Sequence, residues 1–517
     1  MITIKKHIGK FLILTVFVLT SVFSGSVPAL ASEVPSFVVG LVSAEGAALN
    51  PLVCNQRDLI NINELVFESV IDFDDELKPT GELALSWTVE ESVFTFKLRD
   101  NVRFHDGTYL SAQDVYETYQ RILALGDNGS PYYSRCQYIK SMEVTDLYTL
   151  KVTGKYESLL TLYAMTFPVL QRNSVTWETA VGTGPYWYMN YELDWLRVDA
   201  NPYWWKKAPV IQSIYGYRYN ETGDALKALS TGEIDAMATR SQSAALGRLL
   251  SDRTSVDYTT LTYEMLIPNI DTVQFASVKT RQALMYAIDI TGIASNIYMD
   301  MVTEAEVPVV PGSWLYEPQS AVYFESKERA MQLLYEAGWG DFNGDGILDQ
   351  VVDGVLEQLD FTLITYIDDT AATRTHAAEM IRDQLRPLGI NVTVETLSLS
   401  AVQKRLANHD FDLALCAVNM SLLPDLTFLL ASDGRMNYSQ YEDGGMKNFL
   451  TAIYETTDET QFKILFSQMQ LKIAEELPFL GLFFRKGTFM TTSTVTGLGA
   501  VRETDALRGI EYIEFLD

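Results

Sequence analysis

The run Asp341-Phe342-Asn343-Gly344-Asp345-Gly346-Ile347-Leu348-Asp349 sets side-chain oxygens at its first, third, fifth and ninth positions. Glycine occupies the sixth position, and the seventh supplies the backbone carbonyl of Ile347. A calcium loop has this layout, because a hard cation needs six or more oxygens and the chain must turn sharply around it. The twelfth position is Val352, where such loops carry a bidentate glutamate, so Asp353 or a residue from elsewhere would have to complete the cage. Extracellular sites work at dissociation constants of order 10⁻⁴ to 10⁻³ M, so an incomplete cage can still fill outside a cell. Two readings stand: a weak structural calcium site on Asp341, Asn343, Asp345, Ile347 and Asp349, or a plain polar turn. No cofactor is otherwise required.

Catalytic chemistry is poorly served. The chain has no H-E-x-x-H, no G-x-S-x-G and no glycine-rich phosphate loop. His7, His105, His376 and His409 share no metal-ligand spacing, and Cys54, Cys136 and Cys416 are widely separated and odd in number, so neither a disulfide framework nor a C-x-x-C site is written in the chain. The cysteines read as small buried hydrophobes. The chain is therefore expected not to be an enzyme, with a secreted hydrolase as the rival class.

The elements around these residues follow from periodicity. Residues 93–99 alternate apolar and polar as a half-buried strand, and Val102 with Phe104 continues the pattern as a hairpin. Ser111 with Asp114 resembles a capping box opening a helix with Val115, Tyr119 and Ile122 on one face. In the second half, helices and strands alternate, which favours a layered α/β lobe. Ser326 caps a helix carrying Ala330, Leu333 and Leu334 that ends at Gly338; Phe361 to Tyr366 is a strand; Ala377, Ile381 and Leu385 mark a helix that stops at Gly389. A strand through Ile390, Val392 and Val394 and a helix near 401–407 lead to Phe411 to Val418, whose near-continuous apolar run is typical of a strand buried on both faces. Aromatics crowd 186–188, Trp195, 203–205 and 215–219; sugar-stacking platforms are one reading of them and core packing is the expected one.

Lys5, Lys6 and Lys10 precede an apolar run from Phe11 to Phe23 and then Ala29-Leu30-Ala31, the layout of a cleaved secretory signal. The signal is assigned to 1–31, and no cysteine near its end supports a lipid anchor. Its loss takes the net charge from −28 to −31, since it holds three lysines and no acid. Such acidity excludes nucleic acid and anionic lipid as partners. The mature protein is expected outside the cytosol, in the periplasm or cell-envelope space, as a monomer. From Ser32 onward there is chain for about three domains at roughly 150 residues each.

The ordered landmarks resemble the family 5 extracellular solute-binding proteins, the oligopeptide-, dipeptide- and nickel-binding components of ABC importers. They include Asn50-Pro51, residues 65–69, residues 83–87, residues 94–99 and Phe104-His105-Asp106-Gly107. Further on stand residues 182–186, 201–204, 232–236, 281–284 and 336–339. The resemblance implies an α/β, two-lobed periplasmic-binding-protein-like fold of type II (Venus-flytrap) with a domain inserted into the first lobe. It places lobe I at 32–71, 182–270 and 481–517, the inserted domain at 72–181 and lobe II at 271–480. The function implied is capture of a small ligand, foremost a peptide, and its delivery to ABC permease membrane subunits. The alternatives within the class are a nickel chelate, an oligosaccharide or a signalling peptide.

By the same resemblance, the ligand-lining segments map to Asn55, Gln56 and Arg57, to Tyr132 and Tyr133, to Cys416, Val418, Asn419 and Met420, and to Phe483. In the dipeptide- and oligopeptide-binding members an aspartate stands four residues before a proline in the loop after this strand and meets the ligand's α-ammonium. Here the proline is Pro424 and the fourth residue before it is Met420. An ammonium buried without a carboxylate is costly, so a free amino terminus must meet another acid, with Asp425 the nearest, or lie outside the ligand.

Overall fold

Parallel strand pairing occurs in two separate places. Ser36–Val42 pairs in parallel with Ser213–Tyr219 and with Ala236–Thr239, the helix Thr222–Thr231 making the crossover between the latter two. Asp360–Tyr366 pairs in parallel with Asn391–Leu397 and with Leu413–Asn419, through the helices Thr373–Leu385 and Leu399–Ala407. Parallel neighbours need such crossovers, which explains the alternation read in the second half of the chain. Between the two groups lie two long antiparallel strands, Arg253–Pro268 and Leu480–Thr492. One end of this pair joins Ala236–Thr239 through residues 488–491; the other joins Leu413–Asn419 through residues 262–268. The strand register shifts between Thr259 and Tyr263, where the pair passes from one group to the other. The result is one eleven-stranded sheet.

This computed structural model describes residues 36–44, 46–174, 180–241, 253–367, 372–492, 495–497 and 501–515. The secretory signal assigned to 1–31 lies outside the described residues. The described residues form one compact unit.

A separate four-stranded antiparallel sheet runs in the order Ala84–Glu90, Val93–Leu98, Thr149–Gly154, Ile139–Asp146. The hairpin partner of Val93–Leu98 is the preceding strand, not Val102 and Phe104 as their alternation suggested. Glu91, at φ 53°, makes the tight reversal that the sequence does not advertise with glycine. Ser111 donates its backbone N–H to Asp114 at 2.9 Å and opens the helix Ala112–Leu125, which buries Val115, Tyr119 and Ile122. Ser326 accepts from the Arg329 N–H at the start of Lys327–Glu336, and Gly389 ends the later helical segment at φ 76°.

Leu413–Asn419 has its apolar side chains on both faces. Leu413 and Leu415 enter one hydrophobic core, while Ala414, Cys416 and Val418 enter another. Burial on both sides removes the polar alternation that a one-sided strand would show. The aromatic runs divide: Tyr186 is fully buried with its hydroxyl on the Ile211 carbonyl and the indole N–H groups of Trp204 and Trp205 both donate to Glu68, whereas Tyr203 is exposed and Trp195, Tyr215, Tyr217 and Tyr219 line a surface pocket.

Candidate ligand-binding site

The end of Leu413–Asn419 leads to a cavity. Asn419 is exposed and its Oδ1 accepts from Thr262 Oγ1 at 3.1 Å; Met420 donates its N–H to the Leu261 carbonyl at 2.7 Å. These bonds tie the loop after the strand to the register break in the long pair. Met420 and the following residues to Pro424 then wall a cavity of about 60 Å³, closed by Trp314, by Leu77 and Tyr163, and by Phe484. Phe483, the residue expected here, is fully buried on the other face of its strand, with its ring 4.7 Å from that of Tyr298. Period-two alternation gives the cavity wall to its neighbour Phe484, whose ring lies 4.7 Å from Tyr263.

A line of charges runs across the long strands on the Phe483 side. Arg57, half-buried at the start of the helix Arg57–Glu64, holds Asp58 through Nε at 3.2 Å. Asp58 also accepts from the Val42 N–H at 2.7 Å, and burial raises its carboxyl above the usual range despite Arg57 beside it. Arg240 is pushed down to about 10, by burial and then by the like charge of Arg57. Arg485 donates to Glu264 at 2.6 Å, and Arg374 grips the same carboxylate with two bonds of 2.8 and 2.9 Å. Burial alone would raise Glu264, but the two guanidiniums outweigh it and hold the carboxyl below its ordinary value. Cys416 stands beside this pair, its thiol pushed up to about 12 by burial. Arg57 thus lies at one end of this group of charges, while Cys416 turns to the other face of the sheet, into the core with Ala414 and Val418. The sequence reading missed the rest of the group, Arg240, Glu264, Arg374 and Arg485. An acid inside the apolar run Tyr263-Glu264-Met265-Leu266-Ile267 is the signal that could have found it.

The other expected residues fall nearby or apart. Asn55 is exposed and accepts from Gln56 Nε2 at 3.3 Å, just before the helix that Arg57 opens. Tyr132 is half-buried near Cys54 and Glu64, its hydroxyl held above the usual range by burial, and its ring carries Arg135 at 5.2 Å. Tyr133 begins the short helix Tyr133–Cys136. Asp425 is already engaged by four donors. Its Oδ2 accepts from the hydroxyls of Tyr138 and Tyr454, and its Oδ1 from the Thr427 N–H and hydroxyl at 2.9 and 2.7 Å.

In the run 341–349, side-chain oxygens accept from backbone N–H groups. Asp341 takes Gly344 and Gly346, Asn343 takes Asp345, and Asp345 takes Ile347. Asp349 is fully buried; one oxygen accepts from the Phe342 N–H and the other, Oδ1, has no protein partner. Among the described residues, no group of three or more His, Cys, Asp or Glu side chains is drawn together as a metal cage. Among them too, no helix is long and apolar enough to cross a membrane.

Two parallel α/β groups joined by a pair of long strands, with an extra antiparallel sheet, define a two-lobed solute-binding protein of type II architecture. The model of bacterial extracellular solute-binding proteins, family 5 (middle), matches residues 78–440, and the chain belongs to that family. The oligopeptide-binding protein AppA of Bacillus subtilis is 26% identical over 477 residues, 86% of this chain and 86% of that protein. The solved structure of AppA in complex with a nonapeptide superposes with a TM-score of 0.65 at 24% identity, covering 93% of this chain and 99% of the other. A nickel ABC transporter structure from Bacillus halodurans gives a TM-score of 0.79 at 20% identity, over 91% and 98%.

Proposed function

We propose that this chain is the extracytoplasmic substrate-binding component of an ABC importer, and that its ligand is a peptide. The observation that carries the reading is the junction itself. Among the described residues two long strands link the parallel groups within the sheet, their register breaks at Thr259 to Tyr263, and the cavity behind Met420 and the charged line from Arg57 to Arg374 both lie at that break. A break in strand pairing is where a hinge bends most easily, and a ligand held there touches both sides and favours closure. The permease would read the closed form. AppA, named for oligopeptide binding, supports a peptide over the other ligand classes.

Native mass spectrometry of protein purified without denaturation tests this. Intact peptides should travel with the protein and small-angle scattering should show contraction when they are added back. A retained chelate or sugar, or turnover of the added peptide, would replace the reading.

The loop 341–349 is proposed as a low-affinity calcium site, supported by its ligand spacing and by the unpartnered Asp349 Oδ1. Asp341, Asn343 and Asp345 would have to share their oxygens between the ion and the backbone N–H groups they now hold. An unchanged melting temperature between chelator and millimolar calcium removes the site.

A further inference from the structure

The cavity behind Met420 is set apart by what its walls lack. No residue among its described wall carries a charge. Its hydroxyls are those of Tyr163, which accepts from the Trp314 indole at 3.1 Å, Ser421, which accepts from the Leu423 N–H at 3.1 Å, and Ser313. The remainder is aliphatic or aromatic. The two acids that adjoin wall residues in sequence, Glu76 and Asp425, are absent from the wall, and Asp425 already holds four hydrogen bonds. An ammonium or carboxylate entering this space would lose hydration and find no charge in the wall, Lys78 standing over the Trp314 ring at 5.8 Å and already paired with Glu459, at a cost that an apolar group does not meet. A pocket of this lining, with its mouth open to solvent at Ser421, favours apolar groups over charged ones.

From this we infer that the pocket receives an uncharged aliphatic group of the ligand and rejects charged ones, the ammonium of a free amino terminus included. This rests on the binding role proposed above and names the ligand class it selects. The space is small, about 60 Å³, which suits a short side chain. Specificity of this kind comes from what is left unpaired in the wrong complex as much as from contact in the right one.

The test exposes the purified mature chain to a randomised pool of blocked nonapeptides and sequences the retained fraction. One peptide position should be enriched in Val, Leu, Ile or Met and depleted in Lys, Arg, Asp and Glu. Met420→Asp should reverse that position in favour of Lys by at least tenfold, and Ser421→Asp, at an exposed wall residue that tolerates charge for folding, should do the same more weakly. Retained peptides with no aliphatic position, or an aliphatic preference unmoved in both variants, overturn the inference. Should no peptide be retained, the transport reading falls, and xenon under pressure in crystals of the protein decides the pocket. Xenon ordered behind Met420 upholds an apolar site for another ligand, and its absence there removes it.

Discussion

Arg374 and Glu264 meet as a bidentate pair in the interior, Nε to Oε2 at 2.9 Å and Nη2 to Oε1 at 2.8 Å, with side chains 1% and 0% exposed. Arg374 lies in the first turn of Thr373–Leu385 and Glu264 in the long strand Arg253–Pro268, so the pair pins one parallel group to the strand that leaves it. Arg485 adds a third arm from the other long strand.

Arg374→Met removes two charge-assisted bonds to Glu264 but leaves that of Arg485, and should lower stability by roughly 1.5–3 kcal/mol, read from urea unfolding midpoints. The Glu264 carboxyl is held below its ordinary value of 4.5, so its contribution is present above that pH and is lost as pH falls through the folded value. Wild type should therefore lose more stability than Arg374→Met on going from pH 5 to pH 3. Parallel acid profiles for the two would show that the pair does not set the titration.

Glu306 titrates in the opposite sense. Burial raises its carboxyl to about 7, although the N–H groups of Val322 and Tyr323 both donate to it. Between its ordinary value of 4.5 and about 7 the folded protein holds a proton that the unfolded chain has released, so stability falls as pH rises through that window. Glu306→Gln loses one acceptor and should be less stable at every pH, yet with a smaller decline from pH 5 to pH 7. Identical slopes for mutant and wild type would remove Glu306 as the source.

Asp425 joins distant parts of the chain. Tyr138 precedes the strand Ile139–Asp146 of the four-stranded sheet, and Tyr454 follows the helix Gly444–Ile453. Asp425→Ala would take the acceptor from the Tyr138 hydroxyl and leave Tyr454 only its longer contact with Thr427 Oγ1 at 3.5 Å, and should cost roughly 1–3 kcal/mol. Tyr138→Phe removes one donor only and should cost less. Hydrogen exchange should quicken at Tyr138 and Tyr454 together in Asp425→Ala; quickening at one alone would mean that the network does not act as a unit.

The strands and helices of the second half were legible because burial writes periodicity. Leu413–Asn419 is apolar throughout because both faces are covered, and Ala377, Ile381 and Leu385 mark the one buried side of their helix. Val102 and Phe104 misled because alternation records which side chains are buried, and both are, in a segment that pairs only through the single bridge of Arg103 with Tyr109. At the site, Met420 was legible and the charged line was not. Glu264 looks like a misplaced acid until Arg374 and Arg485, 110 and 221 residues away, are brought to it by the fold.

Gly481 offers the sharpest steric test of the long pair. A Cβ there would stand 1.9 Å from Tyr263 Oη and 2.3 Å from the Glu306 carbonyl oxygen, contacts that force neighbouring atoms to move. The absence of a side chain lets the segment at Ala305 lie against the strand, where its N–H donates to the Leu482 carbonyl and its carbonyl accepts from Tyr263 at 3.2 Å. Gly481→Ala should therefore destabilise by at least the 1–3 kcal/mol or so of an overpacked core. Tyr263→Phe removes the nearer of the two obstacles and costs one hydrogen bond, while the backbone oxygen stays in place. The double variant should be less damaged than the sum of the singles, a coupling of roughly 0.5–3 kcal/mol in a double-mutant cycle. Strict additivity would show that the strand yields at the backbone and that the hydroxyl does not set the fit.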